Sequence, residues 1–534
     1  MPTRLILRTK TTSRDPANQI VIPGKQPIAF AEPEAATKNP WDDAHEALNS
    51  NPDVSFAEPE VNSGATYFDY EEEITTRGGS ETDPNEYIEY WPHPEKRGFW
   101  HLGDQYSQLL KARLEVAAMP STHTIRIAHF DTGYSPEHLS TPATIIRKDL
   151  ERNFVDDEQD NWNSAVDPLA SGTLKMPGHG TGTLSILAGT KMSFPVLEFD
   201  DYIGLYHKVE IVPIRIAKSV VLMKSSAFVK ALDYLVNELF PDESKRVHVV
   251  TMSMGGVASG AWADMVNAAY EKGIVIVTAA GNNFNKLPAR TLIYPARFNR
   301  VIAACGVTHD LSPYAKPKGE GSFSIMEGNY GPKSLMGSSL AAFTPNVPWA
   351  SYKKHEVVSI RGDGTSSATP QIASAAALYY AKHYDELMKL PEGWMRVEAI
   401  RKALFSSAKK EVNGWDGGYA TYYGNGILQA ADALAIPVAQ PGELTKEKED
   451  KVFFPFFKTL FGIRGDANLA EEEMLETELM QLILESPELQ EILGDEERGI
   501  AELTRSEQIR FAEAVIANPK ASVKLKSRME KLAQ

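Results

Sequence analysis

Apolar residues change their rhythm along this chain, and the changes divide it into five stretches. From about 99 to 440, unbroken Val/Ile-rich runs occupy 125–130, 209–216, 247–253, 274–280 and 301–307. Runs that do not alternate apolar with polar predict strands buried on both faces, and therefore a parallel sheet. Helical patterns at 182–189, 225–240, 261–272, 371–383 and 395–408 predict the helices that cover it. In such α/β folds ligands sit at the carboxyl ends of the strands. Asp131 ends the first run, Ser253 the third, and Asn282 follows the fourth.

The flanking stretches have other patterns. Residues 1–62 predict a small α/β module, with strands at 4–8, 19–22 and 54–59 and a helix at 42–48. The string Phe-Ala-Glu-Pro-Glu occurs at 30–34 and again at 56–60, two copies being too few for a solenoid. Residues 63–98 are acidic and turn-rich, a linker or a surface wrap. A second linker, 441–465, carries the aromatic patch 453–457. Residues 466–534 are helical and acidic in their first half. Met474, Leu475, Leu479, Leu482, Ile483 and Leu484 form one apolar stripe, and Ile509, Phe511, Ala512, Val515 and Ile516 another. A stripe of this kind builds a small helical domain or an arm that docks a protein partner.

Composition narrows the class. At 534 residues the chain exceeds one ordinary domain, and 43% hydrophobic content supports a large core. A net charge of −16 argues against a nucleic-acid groove or an anionic membrane patch, and no apolar run is long enough to span a bilayer. Leu5-Ile6-Leu7 is too short for a secretory core. The single cysteine, Cys305, excludes an intramolecular disulfide and reads as a buried core thiol. The expected location is the cytoplasm.

The chemistry centres on Gly364-Thr365-Ser366-Ser367-Ala368-Thr369-Pro370, which opens the apolar helical run from Gln371. A hydroxyl in a helix's first turn meets free N–H groups and the positive end of the dipole, which suits a serine oxygen that must carry negative charge. A lone Thr-Ser in this place is simply a helix cap. Asp131 follows a buried strand, where a carboxylate needs donors, an imidazole among them; the plainer role is to cap the next turn. His179 lies in Gly178-His179-Gly180-Thr181-Gly182, whose glycines let the backbone pack closely and leave the imidazole accessible. Of the chain's 12 histidines, His129 and His138 are nearer Asp131 in sequence, and both read as structural. Asn282 follows Ala279-Ala280-Gly281, where an amide can donate to a developing oxyanion or merely tolerate a left-handed turn.

Together these motifs resemble the subtilisin-like serine proteases, whose triad runs in the order Asp, His, Ser. Asp131-Thr132-Gly133, His179-Gly180-Thr181 and Gly364-Thr365-Ser366 carry the likeness, and Ala279-Ala280-Gly281-Asn282 looks like the family's oxyanion loop. Ser253-Met254-Gly255-Gly256 is similar to the strand edge that holds the substrate backbone. The resemblance implies a serine endopeptidase acting on proteins or peptides, with Ser366 as nucleophile, His179 as base, Asp131 orienting it and Asn282 in the oxyanion hole. It also implies a subtilisin-like parallel sheet flanked by helices. Residues 44–59 look like the end of the family's inhibitory propeptide, and Trp100-His101-Leu102 like the usual start of the mature domain. That implies an intramolecular inhibitor in 1–62 and a cut within 61–98, where Tyr67, Phe68 and Tyr70 are equal candidates for an apolar primary pocket.

The chain departs from the family pattern at Gly182-Thr183-Leu184-Ser185 and at Gln371, positions expected on helices behind the site. No cofactor is required. Calcium at Asp156-Asp157-Glu158-Gln159-Asp160 lacks a dedicated loop's glycine and spacing, so the run reads as a solvated surface loop. With one cysteine and no His-Glu-x-x-His or Cys-x-x-Cys, a cysteine or metal hydrolase is disfavoured. The rival of another class is a catalytically silent scaffold that binds through the same cleft.

Overall fold

The described residues among the first 61 fold around the strand Leu5–Thr9. The computed structural model describes residues 3–12, 18–34, 36–61, 87–95, 98–120, 123–155, 161–169, 176–195, 198–205, 208–220, 223–283, 291–316, 326–414, 416–453, 469–494 and 503–534. The acidic run 156–160, residues 454–457 of the aromatic patch, and Tyr67, Phe68 and Tyr70 lie outside the described residues. Strand β1 (Leu5–Thr9) pairs antiparallel with both β3 (Ile28–Ala31) and β4 (Val54–Pro59), and β2 (Gln19–Ile20) adds to the β3 edge. Helix α1 (Pro40–Ser50) starts with Asn39 accepting from the Trp41 N–H and a proline in its first turn. Strand β3 escapes the sequence pattern because only Ile28 of its four residues is fully buried. It contains the Phe and Ala of the first Phe-Ala-Glu-Pro-Glu copy, and β4 contains most of the second.

The unbroken apolar runs become adjacent strands. The sheet is β5 (Ile125–Asp131), β6 (Arg152–Asn153), β7 (Val209–Arg215), β8 (Val249–Met252), β9 (Val275–Ala279), β10 (Ile302–Val307) and β11 (Ser339–Phe343). These seven strands, in the spatial order β11-β10-β9-β8-β5-β7-β6, pair in parallel throughout. Strand β11 is too rich in serine and alanine to read as a strand, yet all five of its residues are buried.

Both faces are covered, as the runs require. On one face Phe130, Val250, Met252 and Ile276 pack with α4 (Ser225–Asp233) and α5 (Gly260–Lys272). On the other, Ile127, Val249 and Val277 pack with α2 (Leu109–Ala118), α6 (Thr365–Lys382) and α7 (Gly393–Ser407). Helix α3 (His179–Ala188) also lies on that face, through Leu184 and Leu187.

The C-terminal stripe is core. Helix α8 (Leu469–Glu485) buries Leu475, Leu479, Leu482 and Ile483 in the cluster that holds α4 and α5. Its Met474 joins Leu5, Trp41 and Phe56 of the N-terminal module. Gln481 ties the units polar-to-polar: its Oε1 accepts from Trp41 Nε1 at 3.0 Å and its Nε2 donates to the Ala258 carbonyl at 2.8 Å.

Candidate active site

The carboxyl ends of β5, β8 and β9 lie side by side, and the loops leaving them carry the residues singled out above. Asp131, the last residue of β5, has no exposure. Its Oδ1 accepts from the Thr132 N–H at 2.7 Å and from His179 Nδ1 at 2.7 Å. Burial alone would raise its pKa. The adjacent His179 outweighs that, with help from His129 and the Thr132 N–H, and holds the carboxyl below its ordinary value.

His179 begins α3, and the chain is built to seat it. A Cβ on Gly180 would stand 1.9 Å from the Gly133 carbonyl oxygen, so only glycine lets α3 approach the loop after Asp131 this closely. A Cβ on Gly182 would stand 2.0 Å from the Trp349 ring. That ring meets the His179 imidazole edge-on, centroids 5.4 Å apart.

Ser366 stands in the first turn of α6, and 8% of its surface is exposed. It and Ser253 exchange hydrogen bonds: Ser366 Oγ donates to the Ser253 carbonyl and Ser253 Oγ to the Ser366 carbonyl, both at 3.0 Å. Asn282 is fixed by the residue before the serine. Its Oδ1 accepts from the Thr365 N–H at 2.9 Å and from Thr365 Oγ1 at 3.1 Å, which orients Nδ2 as the donor beside Gly364. Thr365 Oγ1 also reaches the Gly281 carbonyl at 3.1 Å.

The structure thus joins Asp131 to His179, Ser253 to Ser366, and Gly281 and Asn282 to Thr365. Met254 is buried in the core, and Gly256 exchanges both backbone hydrogen bonds with Tyr294. Ala279 ends β9, and the Ala280 carbonyl accepts from the Ile293 N–H. The side chain of Ile293 lies against both Gly255 and Gly281. Cys305 is enclosed, and burial pushes its thiol up to about 12. His138 pins its own loop, facing the Val357 carbonyl and accepting from the Ser140 N–H.

Thr183 departs from its expected place. The sequence puts it behind the site, but four residues after His179 on α3 it shares His179's face, and its Oγ1 donates to Asp131 Oδ2 at 3.0 Å. That spacing was the available signal. Thr365 and Trp349, distant in sequence from the residues they hold, gave none.

The Subtilase family model matches residues 122–426, more than half of the chain. Subtilisin DY of Bacillus licheniformis is 28% identical over 258 residues, 48% of this chain and 77% of its own. Subtilisin E of Bacillus subtilis (strain 168) is 24% identical over 342 residues, 62% of this chain and 73% of its own. Among solved structures, that of the prenylagaramide maturation protease PagA covers 61% of this chain and 97% of its own at 18% identity, with a TM-score of 0.44. On the extent of the family match, the chain belongs to the subtilase family and is a subtilisin-like serine peptidase, a hydrolase.

Proposed function

We propose that the chain is an endopeptidase that works through an acyl-enzyme, with Ser366 as nucleophile, His179 as base, Asp131 orienting His179, and Asn282 with the Ser366 N–H as oxyanion donors. The observation that carries this reading is the 2.7 Å bond from His179 to the fully buried carboxylate of Asp131. It keeps the imidazole proton on Nδ1 and leaves Nε2 bare to accept another. For attack, the Ser366 hydroxyl turns from the Ser253 carbonyl and gives its proton to Nε2 while Oγ bonds the substrate carbonyl carbon. The electron pair displaced onto oxygen is met by Asn282 Nδ2 and the N–H at the start of α6. Collapse restores the carbonyl and breaks the C–N bond, and His179 protonates the departing amine. Water then repeats the steps and frees Ser366. Ser253, Met254 and Gly255 on one side, with Ala279 and Gly281 on the other, would hold the substrate backbone, while the backbone groups of Gly256 and Ala280 are already paired, with Tyr294 and with Ala304 and Ile293.

The N-terminal module is the proposed inhibitor, tethered and therefore at high local concentration. Its mode of docking supports this. The chain leaving β4 is fastened to the start of α4, where Val61 and Ser225 exchange hydrogen bonds of 3.1 and 2.9 Å. The C-terminal helices are read as regulatory because they grip this module, and a protein partner for them belongs to the same proposal. So does a cytoplasmic location.

A fluorophosphonate probe tests the chemistry. After limited proteolysis of the linker, it should label Ser366 in the wild-type chain and nothing in Ser366→Ala. Labelling that survives Ser366→Ala removes the assignment. No labelling in either chain, with the fold intact, favours the silent scaffold.

A further inference from the structure

Two oddities of the sequence, a histidine inside the central strand β5 and a threonine in the helix after His179, meet at one atom. His129 is 3% exposed, and its Nε2 lies 2.8 Å from Thr183 Oγ1. The same Oγ1 lies 3.0 Å from Asp131 Oδ2 and 3.2 Å from the Gly180 carbonyl. Asp131 Oδ1 is taken by Thr132 and His179, so Thr183 supplies the hydroxyl proton that satisfies Oδ2.

A threonine hydroxyl has one proton and here three acceptors could draw it. If His129 Nε2 were bare, it would pull that proton at 2.8 Å, and Thr183 would turn a lone pair toward a buried carboxylate. If Nε2 carries a proton, it donates to Thr183 and the hydroxyl proton is left for Asp131. The carboxylate oxygen 3.9 Å from Nε2 favours the protonated form. The geometry points to His129 and Thr183 as positioning residues for the triad: His129, as the Nε2–H tautomer, sets the direction of the Thr183 hydroxyl, and Thr183 holds Asp131 in the orientation that grips His179. This rests on the roles proposed above for Asp131 and His179.

The surroundings leave this relay undisturbed by titration. Burial keeps His129 down at about 4, against the pull of Asp131, so it stays neutral above that pH. Besides His179, two ionisable groups bear on the neighbouring Thr132 rather than on Thr183. Asp167 accepts from Thr132 Oγ1 at 3.2 Å, and Arg215 Nε donates to the Thr132 carbonyl at 2.8 Å.

The test uses the full chain labelled with nitrogen-15 at histidine. In the wild-type spectrum His129 should have Nε2 protonated and Nδ1 bare; the opposite tautomer overturns the proposal without any variant. Thr183→Val and His129→Leu should each lower kcat about tenfold with KM nearly unchanged, the size expected for one hydrogen bond to a charged group. His129→Gln, which keeps a donor at the place of Nε2, should restore most of the loss. The double variant should be no worse than Thr183→Val alone, since His129 acts only through Thr183. Additive losses, or no recovery in His129→Gln, sink the relay. Hydrolysis that persists in Ser366→Ala sinks the triad reading instead.

Discussion

Glu58 of the N-terminal module caps the helix that begins at Gly260. Its Oε2 accepts from the Gly260 N–H at 2.9 Å, and its Oε1 from Ser259 Oγ at 2.7 Å and the Ala261 N–H at 3.1 Å. The module therefore supplies acceptors for the free N–H groups at the N-terminus of α5.

That contact should make docking depend on pH. Burial outweighs these donors and Arg8, and pushes the Glu58 carboxyl up to about 7 from an ordinary 4.5. The docked state thus keeps a proton that the undocked one gives up. The contribution is full below about 4.5 and is lost as pH rises through about 7. Hydrogen exchange of β4 in the full chain, corrected for intrinsic rates, should speed up across that window by up to tenfold per pH unit. Glu58→Gln should flatten the profile. A wild-type profile already flat would mean that Glu58 stays ionised in place.

Ser366→Ala should abolish peptide hydrolysis while the fold persists. Asn282→Ala should lower kcat by roughly 10²–10³ with KM little changed, because the donor acts on the transition state. Steady-state kinetics separate these outcomes, and an effect confined to KM would place Asn282 in binding.

The sheet was legible because its main strands are buried on both faces and therefore mostly apolar. Strand β11 was not, since its Ser-Leu-Ala-Ala-Phe is buried by packing with no Val or Ile to announce it. Asp131, His179, Asn282 and Ser366 could be picked out because each sits in a short local motif. What holds them could not: Trp349 reaches His179, and Thr365 reaches Asn282, across 170 and 83 positions (349 − 179 and 365 − 282). The C-terminal stripe announced a buried face but not its occupant. Trp41 and Ala258, the partners of Gln481, are 440 and 223 positions away.

Gly182 should tolerate no side chain. In Gly182→Ala the methyl carbon would overlap Trp349, which is 9% exposed and has little room to retreat. The ring must shift against His179, so kcat should fall more than KM rises, and stability should drop by about 1–3 kcal/mol. Pairing the change with Trp349→Phe should recover part of both losses. Thermal unfolding and kinetics on the four chains check the coupling, and simple additivity would show that the two residues do not share one space.

Arg8, like Gln481, is a residue where three parts of the chain meet, and its removal should release the module. From β1 its Nε contacts Asp264 of α5 at 2.5 Å, and its Nη1 contacts Glu473 of α8 at 2.7 Å. The guanidinium also stacks over the Phe56 ring, 4.4 Å from the centroid, and Nη2 reaches the Gly260 carbonyl. Burial alone would lower its pKa, but Asp264 and Glu473 raise it above the ordinary value, so the cation is held by both carboxylates. In Arg8→Met the stem and much of the packing on Phe56 remain, while two partly buried carboxylates are left facing one another without a cation. Breaking a pair in this way costs about 3–5 kcal/mol. The loss falls on the docked arrangement alone, because once the module swings away both carboxylates reach water. The full-length Arg8→Met chain should therefore hydrolyse peptides at least about tenfold faster than wild type, with faster hydrogen exchange in β1 and β4 and unchanged exchange in β8 and β9. Faster exchange throughout would show that Arg8 stabilises the whole chain. Faster exchange in β1 and β4 with no gain in hydrolysis would show that the module does not restrain the active site.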